Sequence, residues 1–376
     1  MKSVRVTLLL IISTFAFGQN KYSEYRNAKK TIELNTGIHM SYIDKGDQRG
    51  KPLILLHGYT DTSRSFQLLI EELLKIRTDI RIIAPDLRGH GDSSQPDAKL
   101  CSKNPEKCFS QDLFANDVVD LMNQLKINDA VLVGHSMGSV IAQNLASNYS
   151  ERFSRLVLIG TFVNGKDCVG ISQFLMKDLV EGNWKSILEK QTSFNWPDDA
   201  YTITPAEMGE GVKTFLKDNW VAEACAPTDF IDAVYPETIG VKVGTWIGSI
   251  RMQASADNRS LIVQNLKIPT LILWASQDAI MLQSDQELVK ETFSAAARKN
   301  KIAVLYKTYG KLGLPEAGTA FNEVGHNLHW AAPKQVALDI DSFMENGYPI
   351  DNLPYANPLN VKEILIESKA NVLQLN

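Results

Sequence analysis

The pentapeptide Gly-His-Ser-Met-Gly at residues 134–138 constrains this chain more than any other segment. It follows the apolar run 130–133, which predicts a buried strand, and it precedes a helical pattern that extends to about Asn148. Glycines at both ends of such a turn let strand and helix pack closely and hold Ser136 in a strained, exposed conformation. The N-terminus of the helix favours a developing negative charge beside the serine. We therefore expect Ser136 to be a nucleophile.

A serine hydroxyl is a poor nucleophile at neutral pH, so it needs a histidine base, and a carboxylate orients that base. Of the six histidines, only His326 and His329 lie downstream of Ser136 and fit the chain order nucleophile, acid, base. His326 directly follows a glycine, ahead of a helix that starts near Pro333. We assign the base to His326, and His329 is the alternative base or a residue of the pocket wall.

The orienting carboxylate is predicted from the end of another strand. Residues 268–275 form an apolar run typical of a buried parallel strand, and Asp278 follows it closely. Catalytic groups of open α/β sheets gather at this carboxyl edge. An aspartate after a strand often caps a helix instead, but Ser284 and Asp285 are available for that purpose. We assign the acid to Asp278.

Two upstream segments complete the expected site. The apolar strand 52–56 ends in His57-Gly58-Tyr59, and we expect the backbone amides of Tyr59 and Met137 to form an oxyanion hole. His57 is then a structural histidine. The glycine-punctuated turn 86–93 follows the strand 80–84, and its charged residues are expected to support the loop.

Together these motifs resemble the α/β-hydrolase superfamily, over about residues 30–345. The resemblance implies a mostly parallel sheet with helices on both faces and a Ser136-His326-Asp278 triad, but no particular substrate, because that superfamily includes many chemistries. One departure is the segment 309–323, which separates the last strand from His326 and indicates an inserted loop near the site.

Alternating strands and helices predict the parallel sheet independently of the resemblance. Expected strands lie at Lys30–Asp44 and near Leu53, Ile80, Ala130, Leu156, Thr270 and Ile302. Expected helices are Phe66–Ile76, Gln111–Leu125, Ser136–Asn148, Gln283–Phe293 and Lys334–Met344. Residues 19–161 and 266–346 form the predicted core, and 347–376 form a C-terminal extension.

Residues 162–265 lack a comparable strand and are predicted to form an inserted helical lid. Helical patterns occur at 171–190, 205–220 and 245–256. Most of the aromatic residues in this region should pack the lid's own core, and a minority should line an apolar pocket over Ser136. These aromatic residues are Phe174, Trp184, Phe194, Trp196, Trp220 and Trp246.

Residues 1–18 resemble a signal peptide, with basic Lys2 and Arg5 before the apolar run 6–17 and cleavage expected before Gln19. An uncleaved membrane-anchoring helix is the alternative. After cleavage we expect no stable membrane insertion and an exported protein, periplasmic or secreted. The formal net charge of −4 and the absence of a basic stripe argue against a nucleic-acid partner.

Four cysteines agree with export, because an even number can form two disulfides. Three connectivities are possible. Cys101 and Cys108 flank a short polar loop, so we favour a local bridge between them, which leaves Cys168 with Cys225. Four free thiols in a cytosolic enzyme are the alternative.

The sequence thus predicts a serine hydrolase that cleaves a carboxylic ester or lactone of a small, moderately hydrophobic molecule. We expect it to need no metal and no organic cofactor. Alternatives are an aminopeptidase or a carbon–carbon bond hydrolase of the same fold. A ligand-binding protein with slow turnover is a third possibility, against which an intact triad argues.

Overall fold

A computed structural model of the chain describes residues 24–191, 194–223, 225–310 and 324–350, together with three short strands at 354–355, 364–365 and 372–375. Predictions for the leader 1–18 and for most of the loop 309–323 lie outside the described residues. Within the described part, no helix has the length and hydropathy that crossing a membrane requires.

The described strands, numbered β1 to β11 in chain order, are Lys30–Glu33, His39–Gly46, Lys51–Leu56, Ile80–Pro85, Ala130–His135, Phe153–Ile159, Thr270–Ala275, Val304–Tyr309, Pro354–Tyr355, Ile364–Leu365 and Val372–Leu375. They form one mixed sheet with the order β1-β2-β4-β3-β5-β6-β7-β8-β11, and a separate pair β9-β10. Strands β3 to β8 pair in parallel, whereas β1, β2 and β11 join antiparallel at the two edges. The mostly parallel sheet is therefore confirmed.

Strand β5 shows why the central strands are apolar throughout. Ala130 and Leu132 face one hydrophobic core cluster, and Val131 and Val133 face another on the opposite side of the sheet. Because successive side chains of a strand point to opposite faces, a strand with helices on both sides must be apolar at every position. Helices cover both faces, and residues of the helix Met137–Asn148 lie in the first of these clusters.

The helices and helical turns of the described core lie before strand β6 and after strand β7 in the sequence. They are Ser63–Phe66, Gln67–Ile76, Ala98–Lys103, Pro105–Lys107, Gln111–Gln124, Met137–Asn148, Ser150–Arg152, Gln283–Asn300, Leu328–Ala331 and Pro333–Asn346.

Between β6 and β7, residues 162–265 form what we call the helical insert. Its helical segments are Gly170–Trp184, Lys185–Glu189, Asp198–Tyr201, Pro205–Glu207, Glu210–Phe215, Leu216–Trp220, Thr228–Gly240, Val243–Ser255 and Arg259–Asn265. The expected continuous helix at 205–220 is wrong, because Gly209 adopts a φ of 96° and interrupts it. Thr228–Gly240 was not predicted.

The aromatic residues of the helical insert divide between packing and exposure. Trp184 and Trp246 are fully buried, with ring centroids 4.5 Å apart. Trp220 packs beside Trp246 at 5.7 Å, and Phe174 is 39% exposed. Most of these rings therefore belong to the insert's own core or its edge, as expected for aromatic residues at helical spacing.

One expected disulfide is present and the other is not. Cys101 and Cys108 are bonded, with Cα atoms 5.6 Å apart. The expected pairing of Cys168 with Cys225 is wrong, because neither forms a disulfide and the two side chains lie in different core clusters. Cys168 Sγ instead lies 3.8 Å from Met281 Sδ.

The Cys101–Cys108 bond should stabilise the protein without serving catalysis. We expect Cys101→Ser with Cys108→Ser to lower the free energy of unfolding by about 2 to 3 kcal/mol, because closing so short a loop removes modest entropy from the unfolded chain. Denaturant unfolding of the oxidised wild type and the double variant measures this. Equal stability of the two proteins would contradict the prediction.

Candidate active site

Ser136 lies at the turn between strand β5 and the helix that begins at Met137. Its φ of 51° and ψ of −118° are unusual for a residue with a side chain. Two backbone hydrogen bonds fix the turn: Ser136 N–H donates to Ile159 O at 3.0 Å, and Ser139 N–H donates to Ser136 O at 2.9 Å. The fold therefore holds this serine in the expected strained conformation, but the expected exposure is wrong, because Ser136 is only 4% exposed.

Glycines on either side of Ser136 allow this turn. A Cβ atom on Gly134 would collide with the backbone of Gly138, and a Cβ on Gly138 would collide with the Leu56 carbonyl group of the neighbouring strand β3. Side chains at either position would therefore separate the helix from the sheet.

Asp278 and His326 meet beside this turn, although 48 residues separate them in sequence. Asp278 Oδ2 lies 2.8 Å from His326 Nδ1, while its Oδ1 accepts the N–H groups of Ile280 at 2.9 Å and Met281 at 2.8 Å. A carboxylate with these contacts accepts a hydrogen bond from a protonated Nδ1, which leaves Nε2 of His326 with a lone pair. The structure thus brings together the two residues assigned as acid and base.

The loop that carries His326 is held against the ends of two strands. His135 Nε2, at the end of β5, lies 3.1 Å from the carbonyl oxygen of His326, and the two imidazole rings are 4.9 Å apart. A Cβ on Gly160, just after β6, would lie 3.2 Å from the ring of His326. The glycine leaves space for that ring.

Burial alone would lower the pKa of His326, but its neighbours reverse the direction. The charge and hydrogen bond of Asp278, with the charges of Glu223 and Asp61, raise the pKa of His326 above its ordinary value. The adjacent His135 adds no opposing positive charge, because burial keeps its pKa well below the ordinary value and it stays neutral.

This environment predicts the pH dependence of the hydrolysis expected from the sequence. His326 accepts a proton only when it is neutral, so activity should fall as pH drops through its raised pKa. We expect the acid limb of kcat/KM to lie above pH 6.5, the ordinary histidine value. A pH profile with an uncharged ester tests this, and a limb below pH 6.5 would show that the carboxylates do not act on His326 as described.

The two amides expected to bind an oxyanion lie at neighbouring strand ends. Tyr59 follows β3 and Met137 follows β5, and these strands pair in parallel. Met137 is the first residue of its helix, where a backbone N–H has no acceptor within the helix. The Tyr59 hydroxyl donates to the carbonyl oxygen of Trp246 at 2.8 Å, so its side chain packs into the helical insert.

His329 has different partners from His326. Its Nε2 lies 2.9 Å from Ser65 Oγ, which also accepts the indole N–H of Trp330 at 3.0 Å and donates to Asp61 Oδ2 at 3.0 Å. Burial lowers the pKa of His329 to about 3, so it stays neutral. It supports the loop that carries His326 from the side of Ser65, and it is not among the residues that line the cavity described below.

His57 and the turn 86–93 support the same edge of the sheet. Leu87 N–H donates to His57 Nε2 at 2.9 Å, so Nδ1 carries the proton and donates to Gly58 O at 2.9 Å. Arg88 forms two hydrogen bonds of 2.7 Å with the buried carboxylate of Asp117. These contacts are internal to the core.

A cavity of about 400 Å³ opens over Ser136 and His326, within the size range of small-molecule sites. Its apolar lining comes from the core and from the helical insert, and no lysine or arginine is among the described residues that line it. The apolar and aromatic lining residues are Tyr59, Leu175, Trp220, Val221, Ala222, Ala279, Ile280 and Trp330.

Two acidic residues of this cavity were not predicted. Burial raises the pKa of Asp61 to about 7 against the opposing hydrogen bond of Ser65. Burial also raises the pKa of Glu223 to about 7, against hydrogen bonds from the N–H groups of Gly325 and Asn327. The sequence signal that could have pointed to Glu223 is its position as a single acid within the otherwise apolar run 221–226.

Comparisons with known proteins agree with this architecture. The chain is 23% identical to Lipase 3 of Moraxella sp. (strain TA144) over 86% of its length and 89% of the lipase. It is 36% identical to 2-hydroxymuconate semialdehyde hydrolase of Pseudomonas sp. (strain CF600), over 34% of this chain and 42% of that protein. Among solved structures, an esterase from Exiguobacterium antarcticum superposes with a TM-score of 0.61 and 19% identity, covering 84% of this chain and 99% of the esterase.

The alpha/beta hydrolase fold family model matches residues 51–330, from strand β3 through the loop of His326. The match spans most of the chain and includes all the residues assigned above to the site. This protein therefore belongs to the α/β-hydrolase fold family.

Proposed function

We propose that this hydrolase cleaves a carboxylic ester or lactone of a small, moderately hydrophobic molecule through an acyl-enzyme on Ser136. The observation that carries the proposal is the joint placement of Ser136, at a strained turn, and of the Asp278-His326 pair beside one cavity, whose lining is partly apolar. The similarity to a lipase over 89% of that protein's length supports an ester as substrate.

In this proposal, Ser136 Oγ attacks the carbonyl carbon while His326 Nε2 takes its proton. The negative charge that develops on the carbonyl oxygen is stabilised by the amides of Tyr59 and Met137. The carbon–oxygen bond to the alcohol then breaks, and His326 returns the proton to that leaving oxygen. Water attacks the acyl-enzyme by the same steps, with His326 again as base, and frees the acid. Asp278 keeps the imidazole oriented and stabilises its positive charge.

The helical insert supplies Leu175, Trp220 and Val221 to the cavity wall, so we propose that it acts as a lid that selects the acyl or alcohol group. The apolar lining favours hydrocarbon groups.

We also propose that the chain is exported, which the Cys101–Cys108 disulfide supports because such bonds persist in oxidising compartments.

A substrate panel tests the proposal. It consists of p-nitrophenyl esters of graded acyl length, lactones, and amino-acid anilides. We expect the highest kcat/KM for esters or lactones, with a clear optimum in acyl length set by the 400 Å³ cavity. Higher kcat/KM for the anilides would instead indicate an aminopeptidase, and binding without turnover of any substrate would contradict the hydrolytic proposal.

A further inference from the structure

Glu223 connects the helical insert to the loop of the assigned base. It lies between the helical segments Leu216–Trp220 and Thr228–Gly240. Its Oε1 accepts the N–H of Gly325 at 2.7 Å, and its Oε2 accepts the N–H of Asn327 at 3.1 Å. These two amides precede and follow His326, so a single carboxylate holds the backbone on both sides of that histidine.

The fit between Glu223 and the loop is close. A Cβ atom on Gly325 would lie 3.2 Å from both carboxylate oxygens, closer than most Cβ contacts, so a glycine at this position gives the carboxylate room. His326 is held by Asp278 through its ring and by His135 through its carbonyl oxygen. Glu223 supplies the contacts to the flanking amide groups. Of the three residues Asp278, His135 and Glu223, only Glu223 belongs to the helical insert.

We propose that Glu223 is a positioning residue, a carboxylate of the helical insert that fixes the backbone around His326 so that the imidazole stays directed from Asp278 toward Ser136. The inference rests on the proposed function, because it assigns Glu223 a role through the base. Displacing a catalytic group by about 1 Å can cost about 100-fold in rate, so two hydrogen bonds that fix the loop affect turnover without touching the reacting atoms.

Glu223 also faces the cavity, so direct contact with substrate is the competing role. The geometry favours positioning, since both carboxylate oxygens already accept backbone N–H groups. The two roles differ in their kinetics: a positioning residue affects mainly kcat, whereas a residue that binds substrate equally in the ground and transition states affects mainly KM.

The variants Glu223→Gln and Glu223→Ala test the proposal, with Asp218→Asn as the matched control. Asp218 lies in the neighbouring segment of the helical insert, is exposed, and undergoes the same change from carboxyl group to amide when it becomes asparagine. Glutamine keeps the shape and one acceptor oxygen, so it should preserve one of the two N–H hydrogen bonds. Alanine removes both acceptors. If the alanine variant does not fold, Glu223→Gln can still be measured and tests the proposal alone.

Hydrogen exchange followed by mass spectrometry measures the loop independently of any activity. We expect amides in the segment 324–328 to exchange about 10-fold faster or more in Glu223→Ala, and less so in Glu223→Gln, because lost hydrogen bonds permit local opening. Asp218→Asn should exchange like the wild type. Unchanged exchange in both Glu223 variants would overturn the proposal, whether or not the protein hydrolyses esters.

Kinetics with the best ester of the panel provide the second readout. We expect kcat to fall about 10-fold to 100-fold in Glu223→Ala, with partial recovery in Glu223→Gln and KM within about 3-fold of the wild type. A change confined to KM would assign Glu223 to substrate binding and overturn the positioning role. If the wild type hydrolyses no ester, the exchange experiment still decides whether Glu223 holds the loop, so the two failures are distinguishable.

Discussion

Ser136→Ala is expected to lower kcat for the best ester by about 1,000-fold or more, because the variant lacks the nucleophile and retains only binding and oxyanion stabilisation. The fold should survive, since alanine keeps the Cβ atom at the same strained φ of 51° and removes only the hydroxyl oxygen. Steady-state kinetics together with thermal unfolding of the variant measure both parts of the prediction.

The matched control for this variant is Ser147→Ala. Ser147 lies on the helix that follows Ser136, is buried, and its hydroxyl has no hydrogen-bond partner among the described residues. This substitution should leave kcat within about 2-fold of the wild type. Near-normal ester hydrolysis by Ser136→Ala would show that the nucleophile lies elsewhere.

His326→Ala is expected to be as damaging as Ser136→Ala, because residues that act as one catalytic unit lose activity together. His329→Ala should instead leave kcat/KM within about 10-fold of the wild type and lower the unfolding temperature. The reason is that His329 is buried, its Nε2 forms a hydrogen bond with Ser65, and no described hydrogen bond joins it to Asp278, so its loss leaves a void behind the loop.

The kinetics and thermal unfolding of the two histidine variants should be measured under the same conditions, with both proteins purified in the same way. The reverse ranking, with His329→Ala inactive and His326→Ala active, would move the base to His329. Equal loss of activity and stability in both variants would indicate that activity depends on the intact loop and not specifically on the imidazole of His326.

The sequence identified those parts of the molecule whose signals are local. Ser136 is recognisable because its turn requires glycines at fixed positions, and the buried strands are recognisable as apolar runs. His326 and Asp278 were assigned from the order that the chemistry requires and from their positions after a glycine and a strand. The same local reasoning identified Cys101 and Cys108 as a pair across a short loop.

Features that depend on distant contacts could not be predicted in this way. Glu223 is 102 residues from Gly325 in sequence, and nothing in its own segment reveals which backbone amides it meets. Cys168 and Cys225 were paired by counting, but they lie in different core clusters. The helix Thr228–Gly240 was missed because Pro236 in its interior is a signal against a helix. Strand β11 belongs to the C-terminal extension, for which the sequence predicted no structure.

The most direct test of the central claim is to label the protein with a fluorophosphonate and map the adduct by peptide mass spectrometry. An activated serine displaces fluoride from the reagent and keeps the phosphonyl group. We predict one adduct per chain, on Ser136, in the wild type and in Ser147→Ala, and none in Ser136→Ala. An adduct on another residue, or unlabelled protein that still hydrolyses esters, would contradict the assignment of Ser136 as nucleophile.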